Sequence, residues 1–382
     1  MFFFFYEHPE LLEKSSSDED VNILVGINGS GKSTYLNELA RHHIGRGKTV
    51  IAIANTIYDK FDFKGKKAKV LRSSVGKNIA KHSIKQVLKI LERGDSKAYF
   101  NLFNVFNYIN LIPRIEFKIY DLNPEFRDII INSEYFTLEE REDLLYFLNR
   151  SHDYYLGENE NIFILSFANK DFDSTRNIFF LKILHLESKL KKIKVLKSIG
   201  ITLFKENEDF PLDKASSGEL TLIASLIFLS VNIDDNTVIL IDEPENSLHP
   251  KWQIEYVKKI TELFYFYQPK IVIATHSPLI INGAELNLKN INIFKGKSFA
   301  EFYKQDKDLK NVEEIYEGYF DLSTPENRFL SQHIINKFNL LSERKLTYWD
   351  FENIINELIK NSFDEKQKDA FKGILELANK YS

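Results

Sequence analysis

Val238–Pro250 reads VILIDEPENSLHP, and the first five residues of that stretch decide the fold. Four apolar side chains run without interruption into Asp242, and Glu243 with Pro244 ends the run. A short, wholly apolar segment closed by a breaker is the pattern of a central strand covered on both faces, as in a parallel sheet. Open α/β sheets bind ligands beyond the carboxyl ends of such strands. Two adjacent carboxylates there have a specific use: Asp242 can hold a Mg²⁺, while Glu243 can polarise a water. An acidic turn after an ordinary strand gives the same letters, so the reading depends on a phosphate cradle elsewhere in the chain.

The cradle follows the short apolar run Val21–Val25. Gly26-Ile-Asn-Gly-Ser-Gly-Lys32-Ser33-Thr34 fits G-x-x-x-x-G-K-[ST], in which glycines let several backbone N–H groups point into one cavity at a helix N-terminus. Gly26, Asn28, Gly29, Ser30 and Gly31 are the expected phosphate contacts, with Thr34 behind them. Lys32 is expected to reach the β- and γ-phosphates, and Ser33 to ligate Mg²⁺. Tyr35, Leu36, Leu39, Ala40 and His43 then form a helical stripe that stops before Gly45.

Two further strand-to-ligand junctions follow the same logic. Thr49–Ala54 (TVIAIA) is a buried strand leading into Asn55–Lys60, and a basic segment holds Lys64, Lys66, Lys67, Lys69 and Arg72. That segment can meet a nucleic-acid backbone, or be an ordinary solvated loop. Lys270–Thr275 (KIVIAT) is a further buried strand ending in His276-Ser277-Pro278, which places a histidine where a γ-phosphate or its attacking water would lie. Between them, Ser216-x-x-Glu219 is a capping box before the apolar run Leu220–Val231. The serines, Gly218 and a helix N-terminus also make an anion site, so Ser216, Ser217, Gly218 and Glu219 are candidate nucleotide contacts. Trp252, Tyr256, Val257, Ile260 and Leu263 mark an amphipathic helix.

The rest is less informative. Phe2–Tyr6 reads as an edge strand. From about Val75 to Ser198 the pattern is helical: a stripe from Ile79 to Leu91, a capping box at Thr137-x-x-Glu140, and a helix over Asn177–Leu190 with a basic end. Val195–Phe204 has strand character, and Ile291–Phe294 with Phe299–Tyr303 suggests a strand pair. Thr324-Pro325, Thr347-x-x-Asp350 and Ser362-x-x-Glu365 look like successive helix starts.

With 43% hydrophobic and 28% charged residues, the 382-residue composition is that of a globular protein. The net charge of −4 provides no global field for nucleic acid, so such contacts would be local. Absence of cysteine excludes disulfides, thiol catalysis and cysteine-bound zinc, and fits a cytoplasmic location. No apolar run reaches the ~18 residues of a membrane span, so no membrane partner is expected.

GINGSGKST, ASSGE, VILIDEPENSLHP and ATHSP, in this order, resemble the ABC-class ATPases, specifically the RecF/SMC/OLD-like (AAA_21-type) branch. The resemblance covers roughly residues 20–60 and 195–295. It implies an α/β fold, an ABC-ATPase-type mixed sheet with flanking helices, plus an inserted mostly helical lobe and a helical C-terminal tail. The expected divisions are 1–74 (phosphate loop), 75–198 (insertion), 199–305 (signature, acidic strand end and His276) and 306–382 (tail). It also implies ATP and Mg²⁺ sandwiched between two copies of the chain. Asp242 would join the Mg²⁺ shell, Glu243 would be the catalytic base, and Ser217 with Gly218 would touch the γ-phosphate in trans. Asn246–His249 would cross the dimer, and His276 would be the switch histidine. The family's glutamine loop has no obvious counterpart; Asn55 or Asp59 is the best stand-in.

ASSGE in place of LSGGQ, and PENSLHP after Glu243, favour the branch that acts on nucleic acids. Compact members of that branch resemble the ATPase subunits of anti-phage pairs, of the Septu and retron-associated types. The leading expectation is therefore an ATP-hydrolysing switch, dimeric or of higher order, that controls a separately encoded effector, a nuclease. A RecF-like DNA-repair clamp and a nucleotide-sensing scaffold with little turnover are the alternatives, and a transporter subunit fits least.

Overall fold

The structure is a computed structural model that describes residues 8–15, 19–56, 59–72, 79–91, 96–154, 162–166, 175–206, 208–246, 248–297, 301–305, 312–320, 328–361 and 365–380. In chain order, α1 (Pro9–Leu12) and β1 (Asp20–Val25) precede α2 (Lys32–Gly45), β2 (Thr49–Ala54) and β3 (Ala68–Arg72). The middle of the chain carries α3 (Ile79–Leu91), α4 (Ser96–Tyr108), β4 (Ile112–Tyr120), α5 (Phe126–Ile131), α6 (Leu138–Tyr154), β5 (Ile162–Ser166) and α7 (Thr175–Lys192). Then come β6 (Ser198–Lys205), β7 (Glu208–Pro211), α8 (Ser217–Asn232), β8 (Thr237–Asp242), α9 (Pro250–Leu263), β9 (Lys270–Thr275) and α10 (Pro278–Asn287). The chain closes with β10 (Ile291–Gly296), β11 (Phe302–Gln305), α11 (Val312–Phe320), α12 (Arg328–Ser342), α13 (Tyr348–Asn361) and α14 (Glu365–Asn379).

The chain forms two compact units. The first comprises Met1–Leu39, Pro250–Lys259 and Lys270–Ser382. Its strands lie in the order β11-β10-β1-β9, parallel except for β11. All six positions of β1 and of β9 are buried, which is why both read as near-continuous apolar runs. The polar exceptions satisfy one another. Lys270 Nζ donates to Asp20 Oδ1 at 2.8 Å and to Glu10 O at 2.6 Å, and Asn22 Nδ2 also reaches Asp20 Oδ1 at 3.0 Å. Burial pushes the Lys270 pKa below its ordinary value, and the charge and hydrogen bond of Asp20 offset that only in part. The tail has a core of its own, built from Ile334 and Leu341 on α12, Phe351, Ile355 and Leu358 on α13, and Phe371 and Ala378 on α14.

The second unit comprises Ala40–His249 and Ile260–Pro269. Here β8-β2-β3 is parallel, with β2 and β8 buried at every position. A second, antiparallel sheet has the order β5-β4-β6-β7. The stretch 75–198, read as mostly helical, also carries two strands, β4 and β5. β4 alternates Ile115, Phe117 and Ile119 inward with Glu116, Lys118 and Tyr120 toward solvent, a period of two. Glu187 on α7 ties helices to this sheet: it accepts from Lys81, Lys85 and the Ile199 N–H. Burial pushes its carboxyl up, but those three bonds outweigh it and hold the pKa below the ordinary value. The capping box at Thr137 forms as read, and at the helix start Thr347 Oγ1 accepts from the Asp350 N–H and donates to its carboxylate. Phe2–Tyr6, Thr324-Pro325 and Ser362 lie outside the described residues.

The Asp20–Lys270 pair carries a prediction. Asp20→Ala leaves an ammonium buried without its counter-charge and should cost about 3–5 kcal/mol in urea unfolding. Adding Lys270→Met should recover most of that loss; no recovery would mean that the pair is not what the single change removes.

Candidate functional site

Two clusters of polar residues follow the carboxyl ends of buried strands, one in each unit. In the first unit, β1 runs into the glycine loop. Gly29 and Gly31 have φ of 85° and 93°, in the left-handed region that favours glycine. At Gly26 a Cβ would come within 2.9 Å of Ser30 Oγ and 3.1 Å of Gly296 O, so the loop closes too tightly for any side chain there. Tyr35 N–H donates to Gly31 O at 2.9 Å and starts the α2 ladder, which puts the helix's positive end at the loop. Asn28 and Thr34 are exposed and Ser33 is half-buried. Ser30 Oγ is buried without a hydrogen-bond partner.

Lys32 is only 5% exposed. Its ammonium donates to Gly26 O at 3.0 Å and to His276 Nε2 at 2.5 Å. His276 stands between β9 and α10, where Ser277 N–H donates to Thr275 Oγ1 and Ser277 Oγ accepts from the Leu279 and Ile280 amides. Ser277 Oγ also donates to Gln253 Oε1 on α9 at 2.6 Å, a support the sequence does not announce. A buried cation, an orphaned hydroxyl and glycine backbone at a helix N-terminus fit a phosphate group.

In the second unit, Asp242 ends β8 at 1% exposure. Glu243 has φ of 52°, a left-handed conformation that costs a residue with a Cβ about 1–2 kcal/mol. A turn closes behind it, with Asn246 N–H donating to Glu243 O at 3.2 Å. Asn55, the residue after β2, fastens that turn: its N–H donates to Asp242 O at 3.0 Å, and Asn246 Nδ2 donates to Asn55 O at 3.2 Å. Both polar atoms of the Asn55 side chain are buried and have no hydrogen-bond partner. Asp59 differs. Its carboxylate takes the Phe61 N–H at 3.1 Å and Arg72 Nε at 3.0 Å, so of the two glutamine-loop stand-ins only Asn55 has an uncommitted side chain. A buried carboxylate and an amide oxygen are the hard oxygen donors that Mg²⁺ takes.

Ser216 and Glu219 complete each other. Ser216 Oγ accepts from the Glu219 N–H, and the Glu219 carboxylate takes the Ser216 N–H and hydroxyl as well as Lys205. Those two side chains are therefore spent on capping α8. Ser217, exposed, and Gly218, buried, open the helix at its positive end and are the positions left to meet an anion.

Residues 21–282 match the family described as "AAA domain, putative AbiEii toxin, Type IV TA system" (AAA_21). The chain belongs to that family. Among curated proteins, this AAA_21 chain is 30% identical over 107 residues to the "Retron Vc95 probable ATPase" of Vibrio cholerae serotype O1 biovar El Tor, which covers 25% of the chain and 20% of that protein. It is 25% identical over 187 residues to "Septu protein PtuA" of Bacillus mycoides (strain KBAB4), covering 44% of the chain and 23% of that protein. The chain thus matches about a fifth of the length of each. Among solved structures, VirB4 of Thermoanaerobacter pseudethanolicus aligns over 82% of this chain and 84% of its own, at 11% identity and a TM-score of 0.30.

The strained Glu243 gives a two-sided expectation. Glu243→Gly should raise stability to urea by about 1 kcal/mol by relieving the left-handed backbone, while removing the carboxylate. A loss of stability would mean that the Glu243 side chain holds the turn.

Proposed function

We propose that this AAA_21 protein is an ATP-hydrolysing switch of the ABC type. The observation that carries the reading is Lys32: an ammonium buried at the closed end of a glycine loop, beside a helix N-terminus. Loop amides and Lys32 take the phosphates. Mg²⁺, held by Ser33 and Asp242 with Asn55 beside it, would neutralise developing charge. Glu243 orients and deprotonates the attacking water, and His276 lies near the γ-phosphate. Ser217 and Gly218 serve the nucleotide of a second copy, which makes the chain a dimer or a higher oligomer when ATP is bound.

The similarity to a retron ATPase and to a Septu protein supports a place in anti-phage defence in the cytoplasm, with a separately encoded effector, a nuclease, as the partner under control. No helix among the described residues is long and apolar enough to cross a membrane. Glu243→Gln should lower the ATPase rate by about 10²- to 10³-fold and leave a dimer visible by light scattering only with ATP·Mg²⁺. Hydrolysis at the wild-type rate would remove Glu243 from the chemistry.

One observation favours a second reading, the DNA clamp. Residues 41–72 hold nine lysines and arginines against two aspartates, in a chain whose net charge is −4. The two aspartates are taken by Arg41 and Arg72, whereas Lys60, Lys64, Lys66 and Lys69 have no partner among the described residues. The other basic run is more committed, with Lys189 on Glu140 and Lys197 on Asp121. If the clamp reading holds, reversing those four lysines to Glu abolishes ATP-dependent duplex binding in fluorescence anisotropy. Wild-type protein that ignores duplex DNA at low salt would end that reading.

A further inference from the structure

Ser277 follows His276 directly, is 7% exposed, and uses its hydroxyl in two directions. The oxygen accepts the Leu279 and Ile280 amides at 3.2 and 3.3 Å and so caps α10. The single hydroxyl proton goes to Gln253 Oε1 on α9, at 2.6 Å. The Ser277 N–H donates to Thr275 Oγ1 at 2.9 Å. The turn that carries His276 is therefore joined to β9 and to α10 by bonds local in sequence. It is joined to α9 by a side chain 24 positions away.

Gln253 reaches the turn because α9 and α10 meet closely. A Cβ at Gly283 on α10 would fall 2.0 Å from Ile254 O, so the two helices touch backbone to backbone one residue beyond Gln253. Only glycine permits that approach. Helix packing thus sets where the Gln253 amide starts from, and the hydroxyl it meets is nearly out of water. Without Oε1 the Ser277 proton loses its acceptor, and a buried donor left without one is costly. The cheapest relief is for Ser277 to turn until its proton finds water or another oxygen. His276 shares a peptide unit with Ser277 and moves with it.

We propose that Gln253 is a positioning residue for His276, which it places through the Ser277 hydroxyl for ATP hydrolysis. The proposal rests on the reading of this protein as an ATPase in which His276 lies near the γ-phosphate. Gln253 touches no phosphate in this account, and its effect on the reaction passes through residue 276. A glutamine that only braced α9 against α10 would change stability and leave the rate of the folded protein alone.

A double-mutant cycle on kcat at saturating ATP·Mg²⁺ tests this, at a temperature where circular dichroism shows each variant folded. Gln253→Met keeps the unbranched length and removes the strong acceptor, and Gln253→Ala removes it with the best helix former, so the test does not hang on one variant folding. Both should lower kcat about tenfold, the scale of loss that misplacing a group by less than an ångström produces. Gln253→Glu, which keeps an acceptor oxygen there, should stay within about threefold of the wild type. In a His276→Ala background, itself at least about tenfold slower, Gln253→Met should change kcat by less than about twofold, because the group it positions is gone. An unchanged kcat in Gln253→Met and Gln253→Ala, an equal drop in both backgrounds, or a Glu variant as slow as the Met variant overturns the role of Gln253 alone. Wild-type protein that does not hydrolyse ATP, or His276→Ala as fast as the wild type, overturns the reading beneath it and the proposal with it.

Discussion

A lysine ammonium that is 5% exposed must be surrounded by acceptors, and Lys32 imposes that constraint on everything near it. The glycine loop turns back so that Gly26 O can serve it, and the turn works only because Gly29 and Gly31 hold left-handed backbone. The end of β9 supplies His276, and a capped helix behind it keeps the ring in place. A phosphate oxygen is a charged acceptor and bonds an ammonium more strongly than a carbonyl or a neutral imidazole does, so the arrangement suits an anion. The buried ammonium of Lys270, by comparison, is held by the Asp20 carboxylate and the Glu10 carbonyl.

The second unit repeats the principle with opposite charge. Asp242 is buried at a strand end, and the next residue is held in a strained conformation by a turn whose Asn246 is fastened to Asn55. Strain of this kind persists only where surrounding bonds over-determine it, and here two backbone bonds and one side-chain bond do so. The Asn55 amide is buried without a partner, which is costly for a polar group. All of these groups directly follow strands: Gly26 after β1, Asn55 after β2, Glu243 after β8 and His276 after β9. Strands buried at every position fix their own ends closely, and side chains placed just beyond them inherit that rigidity.

That design also explains what the sequence made legible. β1, β2, β8 and β9 are buried on both faces, so apart from Asn22 in β1 no polar residue interrupts the interior of a strand, and their boundaries can be read to within a residue or so. The capping boxes at Thr137 and Ser216 and the helix start at Thr347 depend on neighbours three residues away, and they too were readable. β4 alternates correctly but is embedded among helical runs, and its partner β6 lies far along the chain, so a window of a few residues gave no reason to pair them. The Glu243 conformation was invisible because glutamate does not advertise a positive φ. The Lys32–His276, Asn55–Asn246 and Ser277–Gln253 contacts are products of tertiary folding alone. The resemblance placed Asn246 in a loop toward a second copy; the fold also gives its amide a partner in the same unit.

The central claim is that the Lys32 loop is the nucleotide site. Equilibrium binding of ATP·Mg²⁺ to the wild type and to Lys32→Met, followed by calorimetry at one ionic strength, tests it most directly. The account predicts one site per chain in the wild type and at least a hundredfold weaker binding in the variant, the loss of about 2.7 kcal/mol expected when a buried charge–phosphate contact disappears. Equal binding by the two proteins would contradict it, and would mean that Lys32 is buried for the sake of the fold.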